Sequence, residues 1–427
     1  MIIVFFIVVV DLLGFGIVLP ILPVTGDEYL EPIFHGDTNK AVRGAMVGLL
    51  MASFSAMQFL FAPSWGRLSD RIGRRPVLLI GLVGSVIFYG LFGNAAGLPL
   101  KDADGGESAY LAGLALTLMF VARIGAGVSG ATIATAQAVI ADCTAPEKRK
   151  HGMALIGAAF GIAFTVGPLL GALAMSLTSG QSATSYTGYL AAALSLIALL
   201  MAVFLLPETR NQRGAVATER QIFNVAAWRN VLRNAAVAPV VFMLFLSTLG
   251  FGGFESTLAL LIKYVLDIEK NRAYWLFAYV GLVLLLSQGF LYRRLAKKLS
   301  EVVLMTAGII LMAIGTVSLA GVNLLRSTDM VGWWLLFLAM LPALATAVIG
   351  FSFLQPSAQA LVSRRTPADR QGEVLGVNQS ASALARILGP IVGLTLFKIT
   401  ETHMLPYLFG GGLLVLMLPL IPRVKRG

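Results

Sequence analysis

The chain has 427 residues, 57% of them hydrophobic and 12% charged, with a formal net charge of +11. A soluble domain carries about 25% charged residues, so this composition excludes a water-soluble enzyme or signalling domain and describes an integral membrane protein. The basic surplus sits in short stretches between apolar segments with no extended basic face, which excludes nucleic acid and assigns the charge to topology and anionic lipid headgroups.

A helix needs roughly 20 residues to cross the bilayer core. On that rule the sequence predicts twelve spans: 2–23, 42–63, 77–97, 111–138, 151–178, 187–206, 237–262, 273–292, 302–324, 332–360, 372–397 and 404–422. The first is read as a transmembrane helix and not a leader, because a basic n-region and a small-residue cleavage site are missing. Within it lies Asp11, about 14 Å from the chain start at 1.5 Å per residue. A carboxylate near mid-membrane costs several kcal/mol (about 3 or more) unless paired, hydrated or protonated, and marks a functional candidate. Two readings stay open for it, a proton-coupling site and a structural partner for an internal arginine. Phe15 follows, and Gly14, Gly16, Pro20 and Pro23 allow this helix to bend and to pack closely.

After the second span comes Gly66-Arg-Leu-Ser-Asp70-Arg71-Ile-Gly73-Arg74-Arg75. It reads as a polar, glycine-broken hairpin in which Gly66 and Gly73 permit tight turns and Asp70 accepts hydrogen bonds from an arginine or a helix N-terminus. That makes a latch between two helices, a gate, while its arginines also hold the segment in the cytoplasm. Arg123 lies in the fourth span, about 18 Å from Leu111, at a depth where it can meet Asp11. An arginine does not release its proton at physiological pH, so its roles are to hold Asp11 ionised in one state or to form a permanent ion pair. The fifth span carries Gly157, Gly161, Gly167, Pro168 and Gly171, which offer hinge and packing but no chemistry.

Pro207 to Ala236 is the longest internal connector, and Glu219 to Arg233 within it reads as an amphipathic helix on the membrane surface. The domain organisation expected is a bundle over 1–206, a cytoplasmic connector over 207–236 and a second bundle over 237–427. In the second bundle Glu255 and Arg386 are the buried charges, and they either pair or leave Arg386 facing a cavity to attract an anionic group. Gln58, Gln137, Gln288, Gln355 and Gln359 are scattered polar positions in spans, and such residues are commonly interhelical glue. Phe15, Gln137, Phe251, Gln359, Asn378, Gln379 and Arg386 are the candidates for a substrate cavity. Cys143 is the single cysteine and His35, His151 and His403 lie far apart, so neither a disulfide nor a metal site is expected. The absence of a phosphate-binding loop and of serine or zinc motifs argues against an ATP-driven transporter or an enzyme, and no cofactor is expected.

Most lysines and arginines fall on one side of these spans, which places that side and both termini in the cytoplasm. The two halves also repeat. Gly66–Arg75 returns weakly as Gly289–Lys298, Gln137-Ala138 as Gln359-Ala360, and Gly167-Pro168 as Gly389-Pro390, each 222 or 223 residues on. Two six-helix halves of this kind are expected to hold a substrate site between them near mid-membrane.

The run from Gly66 to Arg75 closely resembles the signature loop of the major facilitator superfamily. The helix 1 pattern from Asp11 to Pro23 resembles that of tetracycline-type drug/proton antiporters, and Arg123 with Gly127 resembles the arginine motif these transporters carry in helix 4. The glycine run around Gly167 and Pro168 resembles their antiporter motif, although Ala163 and Ala172 stand where glycine is usual. The resemblance implies an all-α membrane protein of twelve transmembrane helices in two pseudo-symmetric six-helix bundles. It implies proton-coupled antiport, exporting an amphiphilic or drug-like small molecule by alternating access, with Asp11, Arg123 and Glu255 in proton coupling and a monomer in a bacterial inner membrane. A facilitator or a lipid or lysolipid exporter of the same fold is the alternative, and a non-transporting receptor or scaffold is a third reading that the paired intramembrane charges disfavour. Tetracycline antiporters also carry acidic residues in helices 3 and 9 and a histidine in helix 8. Pro76–Gly97, Val302–Asn323 and Ala273–Tyr292 have none, so the resemblance does not extend to tetracycline as the substrate.

Overall fold

Prolines and glycines punctuate an otherwise helical chain. The computed structural model describes residues 2–34, 39–101, 106, 108–142, 149–177, 182–209, 225–267, 270–328, 331–367 and 370–426, and the side chains of Gln137, Gly157 and Gly161 lie outside what it describes. The helices of the first half are α1 (Ile2–Val18), α2 (Leu22–Leu30), α3 (Lys40–Ile72), α4 (Arg74–Ala96), α5 (Ala109–Gly130), α6 (Ile133–Asp142), α7 (Arg149–Ser176) and α8 (Ser182–Leu205). After α9 (Val225–Arg233) come α10 (Ala238–Leu266), α11 (Lys270–Leu286), the short α12 (Arg293–Leu295), α13 (Glu301–Ser327), α14 (Trp333–Arg364), α15 (Gln371–Ile399), α16 (Leu405–Met417) and α17 (Ile421–Arg426).

Each of the twelve expected spans falls on one of these helices or on a broken pair. Among the described residues nine helices are long and apolar enough to cross a bilayer, and α1 with α2 makes a tenth, bent by 41°. Thr165–Ser176 and Leu405–Leu420 are shorter apolar helices. The α1–α2 bend has a local cause. Pro20 and Pro23 lack the N–H that would continue the ladder, and Pro23 lies in the first turn of α2. A six-residue π-helical segment, Ser287–Tyr292, continues α11, and a hydroxyl–hydroxyl contact ties its Ser287 to Ser352 of α14.

Two expectations are corrected here. The Gly66–Arg75 stretch is not a hairpin loop. Helix α3 runs through Gly66 to Ile72 and α4 begins at Arg74, so Gly73 alone forms the break. Gly73 has φ 109°, a conformation open to glycine and strained for other residues. The connector helix is also not a surface helix facing lipid. Over Val225–Arg233 it turns Ala227, Trp228 and Val231 onto the core that includes Val374 and Val377, and Leu232 is the exposed one. The reason is spacing, since positions i, i+1 and i+4 share one helical face. Residues 219–224 lie outside the described residues.

The chain divides into two compact units, one of Met1–His35, Ser53–Ile222 and Lys270–Gly281, the other of Gly36–Ala52, Phe223–Glu269 and Leu282–Gly427. The core of the first gathers Ile7, Leu12, Leu82, Ile140, Ala163 and Ala198. That of the second gathers Val240, Leu244, Met305, Ile309, Leu354 and Leu414. Large apolar side chains such as Leu173, Phe204, Trp334 and Leu416 remain exposed, as helices in lipid require.

Glycine builds close backbone-to-backbone crossings in both units. In the first, α1 meets α7, and a methyl on Gly167 would lie 2.7 Å from the Gly16 carbonyl carbon. In the second, α10 meets α15, and a methyl on Gly393 would lie 2.6 Å from Gly253 Cα. Pro168 and Pro390 lie inside α7 and α15 beside these crossings.

Candidate transport site and proton-coupling residues

In the first unit, Asp11 of α1 is half-buried. Ser85 of α4 lies beside its carboxylate, on the same cavity, and among the described residues Oδ1 has no hydrogen-bond partner. Arg123 of α5 is 2% exposed. Among the described residues no ion pair joins it to Asp11, which corrects the direct contact that depth allowed. Its guanidinium instead lies over two rings, 4.8 Å from the Phe54 centroid and 5.7 Å from that of Phe15. Such stacking is worth about 2 kcal/mol when desolvated, but Nε and Nη1 have no hydrogen-bond partners among the described residues.

A cavity of about 30 Å³ lies beside Asp11, lined by Phe15, Phe54, Gln58, Ser85, Tyr89 and Thr132 among others. Beside it, α3 meets the break between α5 and α6. Gln58 Nε2 donates to the Gly130 carbonyl at 3.2 Å and Trp65 Nε1 to the Val128 carbonyl at 2.7 Å, so α3 satisfies carbonyls at the end of α5. Tyr89 is buried at 4% exposure and lies within electrostatic reach of both Asp11 and Arg123. Ser85 and Tyr89 are one turn apart in the apolar middle of α4. That i, i+4 pair was the available signal for them, and sequence reasoning missed it.

At the other end of α4, Arg74 pairs with Asp70 at 2.5 Å and donates to Ser69 Oγ at 2.6 Å. Asp70 therefore meets an arginine, as its chemistry predicts, and the contact joins α3 to α4 across Gly73. The helix N-terminus is served by a different carboxylate. Glu208, beyond the end of α8, accepts from the backbone N–H groups of Arg74 at 2.9 Å and Arg75 at 3.1 Å. It supplies the orphaned donors and the negative charge that a helix start favours. Arg75 donates to the Val203 carbonyl at 2.6 Å. Arg71 is exposed on the last turn of α3. Nothing local marked Glu208, which lies more than 130 residues from its partners. Gly66 is an ordinary helical residue whose carbonyl accepts from Ser69 Oγ at 2.7 Å.

The glycines of α7 divide by what they touch. Gly167 makes the α1 crossing, and Gly171 lies under the ring of Tyr274, whose hydroxyl donates to the Ile17 carbonyl at 3.1 Å. The surroundings of Gly157 and Gly161 lie outside the described residues, as does the Gln137 side chain.

The second unit carries its own polar and aromatic face. Phe251 of α10 stacks on Phe351 of α14 with centroids 3.7 Å apart and planes within 10°. Gln359 Nε2 is 3.5 Å from Gln355 Oε1, and Gln355 Nε2 donates to Thr248 Oγ1 at 2.8 Å. Thr248, Phe251 and Glu255 share one face of α10, as Phe351, Gln355 and Gln359 share one of α14. Glu255 and Arg386 lie within electrostatic reach, yet no ion pair joins them among the described residues. Arg386 and Gln379 are exposed, while Asn378 is buried with Oδ1 unpartnered.

Residues 4–390 match the family model for the Major Facilitator Superfamily. The chain belongs to this superfamily. It is 29% identical over 426 residues to the class C tetracycline resistance protein of Escherichia coli, covering 97% of this chain and 94% of that one. Among solved structures it resembles the human organic anion transporter MFSD10 at TM-score 0.62 and 24% identity, covering 98% of both chains. It resembles a D-xylose–proton symporter at TM-score 0.74 and 19% identity, covering 97% of this chain and 96% of that one. The superfamily member described here is thus an integral, multi-pass, all-helical transporter of small molecules and not an enzyme.

Proposed function

We propose that this protein is a proton-coupled antiporter that exports an amphiphilic organic solute by alternating access, with Asp11 as the coupling carboxylate. The observation that carries the reading is Asp11 itself, an acidic group in the interior of a span, bordering a cavity, with one oxygen unpartnered and no cation in contact among the described residues. A carboxylate in that setting can be emptied and refilled with a proton, whereas a permanently paired one cannot. Arg123 is the proposed counter-charge, out of direct contact among the described residues. The similarity to a tetracycline resistance protein supports efflux of a drug-like molecule. Arg123 and Glu255 complete the proposed coupling set. Phe15, Phe251, Gln359, Asn378, Gln379 and Arg386, with Gln137, are the proposed solute contacts. Asp70, Arg71, Arg74 and Arg75 make up the proposed cytoplasmic gate. The proposed setting is a monomer in a bacterial inner membrane, both termini cytoplasmic.

One observation favours a second reading. Arg386 is an exposed residue that makes no ion pair with Glu255 among the described residues, and a structural relative is an organic anion transporter. Arg386 then receives an anionic group, and the protein is a facilitator or a lipid-like anion exporter. The test uses purified protein in liposomes containing a pH-sensitive dye, an imposed pH gradient, and cationic, neutral, anionic and lipid-like solutes. Antiport predicts solute-triggered proton flux that Asp11→Asn abolishes. Solute equilibration without proton flux, weakened by Arg386→Gln, supports the second reading and removes Asp11 from coupling.

A further inference from the structure

Among the described residues Asp11 Oδ1, on the cavity, has no hydrogen-bond partner, nor have Nε and Nη1 of Arg123, whose guanidinium lies over the Phe15 and Phe54 rings that line the cavity. Buried polar atoms are nearly always satisfied, and where side chains do not serve them, ordered water does. A water needs at least about 10–15 Å³ of such space, so the cavity of about 30 Å³ beside Asp11 has room for about two.

Tyr89 is fixed where it can use that water. A methyl on Gly14 of α1 would lie 2.8 Å from the Tyr89 ring, so the ring is seated flush against the helix that carries Asp11. The same side chain borders the cavity and is within electrostatic reach of Arg123. One turn earlier, Ser85 borders the same cavity beside the carboxylate. We propose that Ser85 and Tyr89 are the positioning residues of Asp11, and that Tyr89 with cavity water, in place of an ion pair, transmits the influence of Arg123 to the carboxylate. The inference deepens the coupling reading and rests on it for its role in transport. In the proton step the Asp11 carboxylate takes the proton at its unbonded oxygen, while Tyr89 and Arg123 keep theirs.

Among the described residues the remaining surroundings add no competing charge. Helices α6, α7 and α8 pack on α1, and none of them brings a described Asp, Glu, Lys, Arg or His side chain to Asp11. Arg74 and Arg75 sit at the start of α4, at least about 15 Å from Ser85 along the helix axis. Arg123 is the one such residue on α5.

The test reads Asp11 protonation without reading transport. Full-length protein in detergent is treated with a carbodiimide, which modifies a protonated carboxyl, and labelling of the Asp11 peptide is followed by mass spectrometry across pH. Tyr89→Phe and Ser85→Ala each remove a donor that favours the ionised form, so each raises labelling at neutral pH, by about tenfold for the 1.36 kcal/mol of one pH unit. Ser85→Thr restores the wild-type curve. Tyr274→Phe removes another buried hydroxyl of the same unit, one bonded to Ile17, and leaves the curve in place. Superimposable curves for wild type, Tyr89→Phe and Ser85→Ala overturn the proposal, and the serine pair decides it if the tyrosine variant does not fold. Solute-driven proton flux absent from wild type sinks the antiport reading alone, and a Tyr89-dependent curve then still supports the positioning role.

Discussion

Gly167→Ala and Gly113→Ala make the same chemical change in opposite surroundings. On α7, the new methyl at position 167 would meet the Gly16 carbonyl carbon at 2.7 Å and Gly16 Cα at 2.8 Å. Carbon atoms rest about 3.5–4.0 Å apart, so α1 and α7 must separate by about 1 Å at their crossing. Both obstructing atoms are backbone and cannot swing away. Overpacking of this kind costs about 1–3 kcal/mol, while alanine returns about 1 kcal/mol of helix propensity. On α5, position 113 has nothing within 4 Å of the added carbon, so only the propensity gain applies. Thermal unfolding in detergent should therefore place Gly167→Ala below wild type and Gly113→Ala at or above it. A Gly167→Ala protein that melts at or above wild type refutes the close-crossing argument.

Glu208→Ala removes the carboxylate that caps the two N–H groups at the start of α4. Loss of an N-terminal cap costs about 1 kcal/mol, and amide exchange at Arg74 and Arg75 should quicken while the first turn of α10 keeps its protection. His403, between α15 and α16, gives a pH dependence. Burial is the main cause holding its imidazole below the usual 6.5, and its ring stacks on Phe397 with centroids 4.3 Å apart. The folded state thus binds the proton less readily than the unfolded state. This contribution is complete above about pH 6.5 and is lost as pH falls below it. Melting temperature should drop on acidification toward about pH 5 less steeply in His403→Asn, since asparagine tolerates the φ of 52° found there. An equal drop in both proteins would remove His403 as the cause.

The sequence by itself determined the class of this protein and the positions of its helices. Apolar runs of membrane-crossing length survive any packing arrangement, because in lipid each backbone must satisfy its own hydrogen bonds. Asp11 and Arg123 were legible as candidates for the same reason, charge being rare and costly where it occurs in a span. Asp70 was legible because its arginine lies four residues away, on a neighbouring turn. Tertiary structure alone decided the partners. Depth along two helices placed Asp11 and Arg123 at one level but carried no information on rotation about the helix axes. It was rotation that set Arg123 over Phe54 and Phe15 and left Asp11 to Ser85. Glu208 and Tyr274 act across separations of 134 and 257 residues, and no local pattern encodes such contacts. The break at Gly73 shows the same division. Its glycine was visible in sequence, but whether the preceding residues looped or stayed helical depended on Arg74 reaching back to Ser69 and Asp70 and on Glu208 arriving from α8 to hold the next helix start.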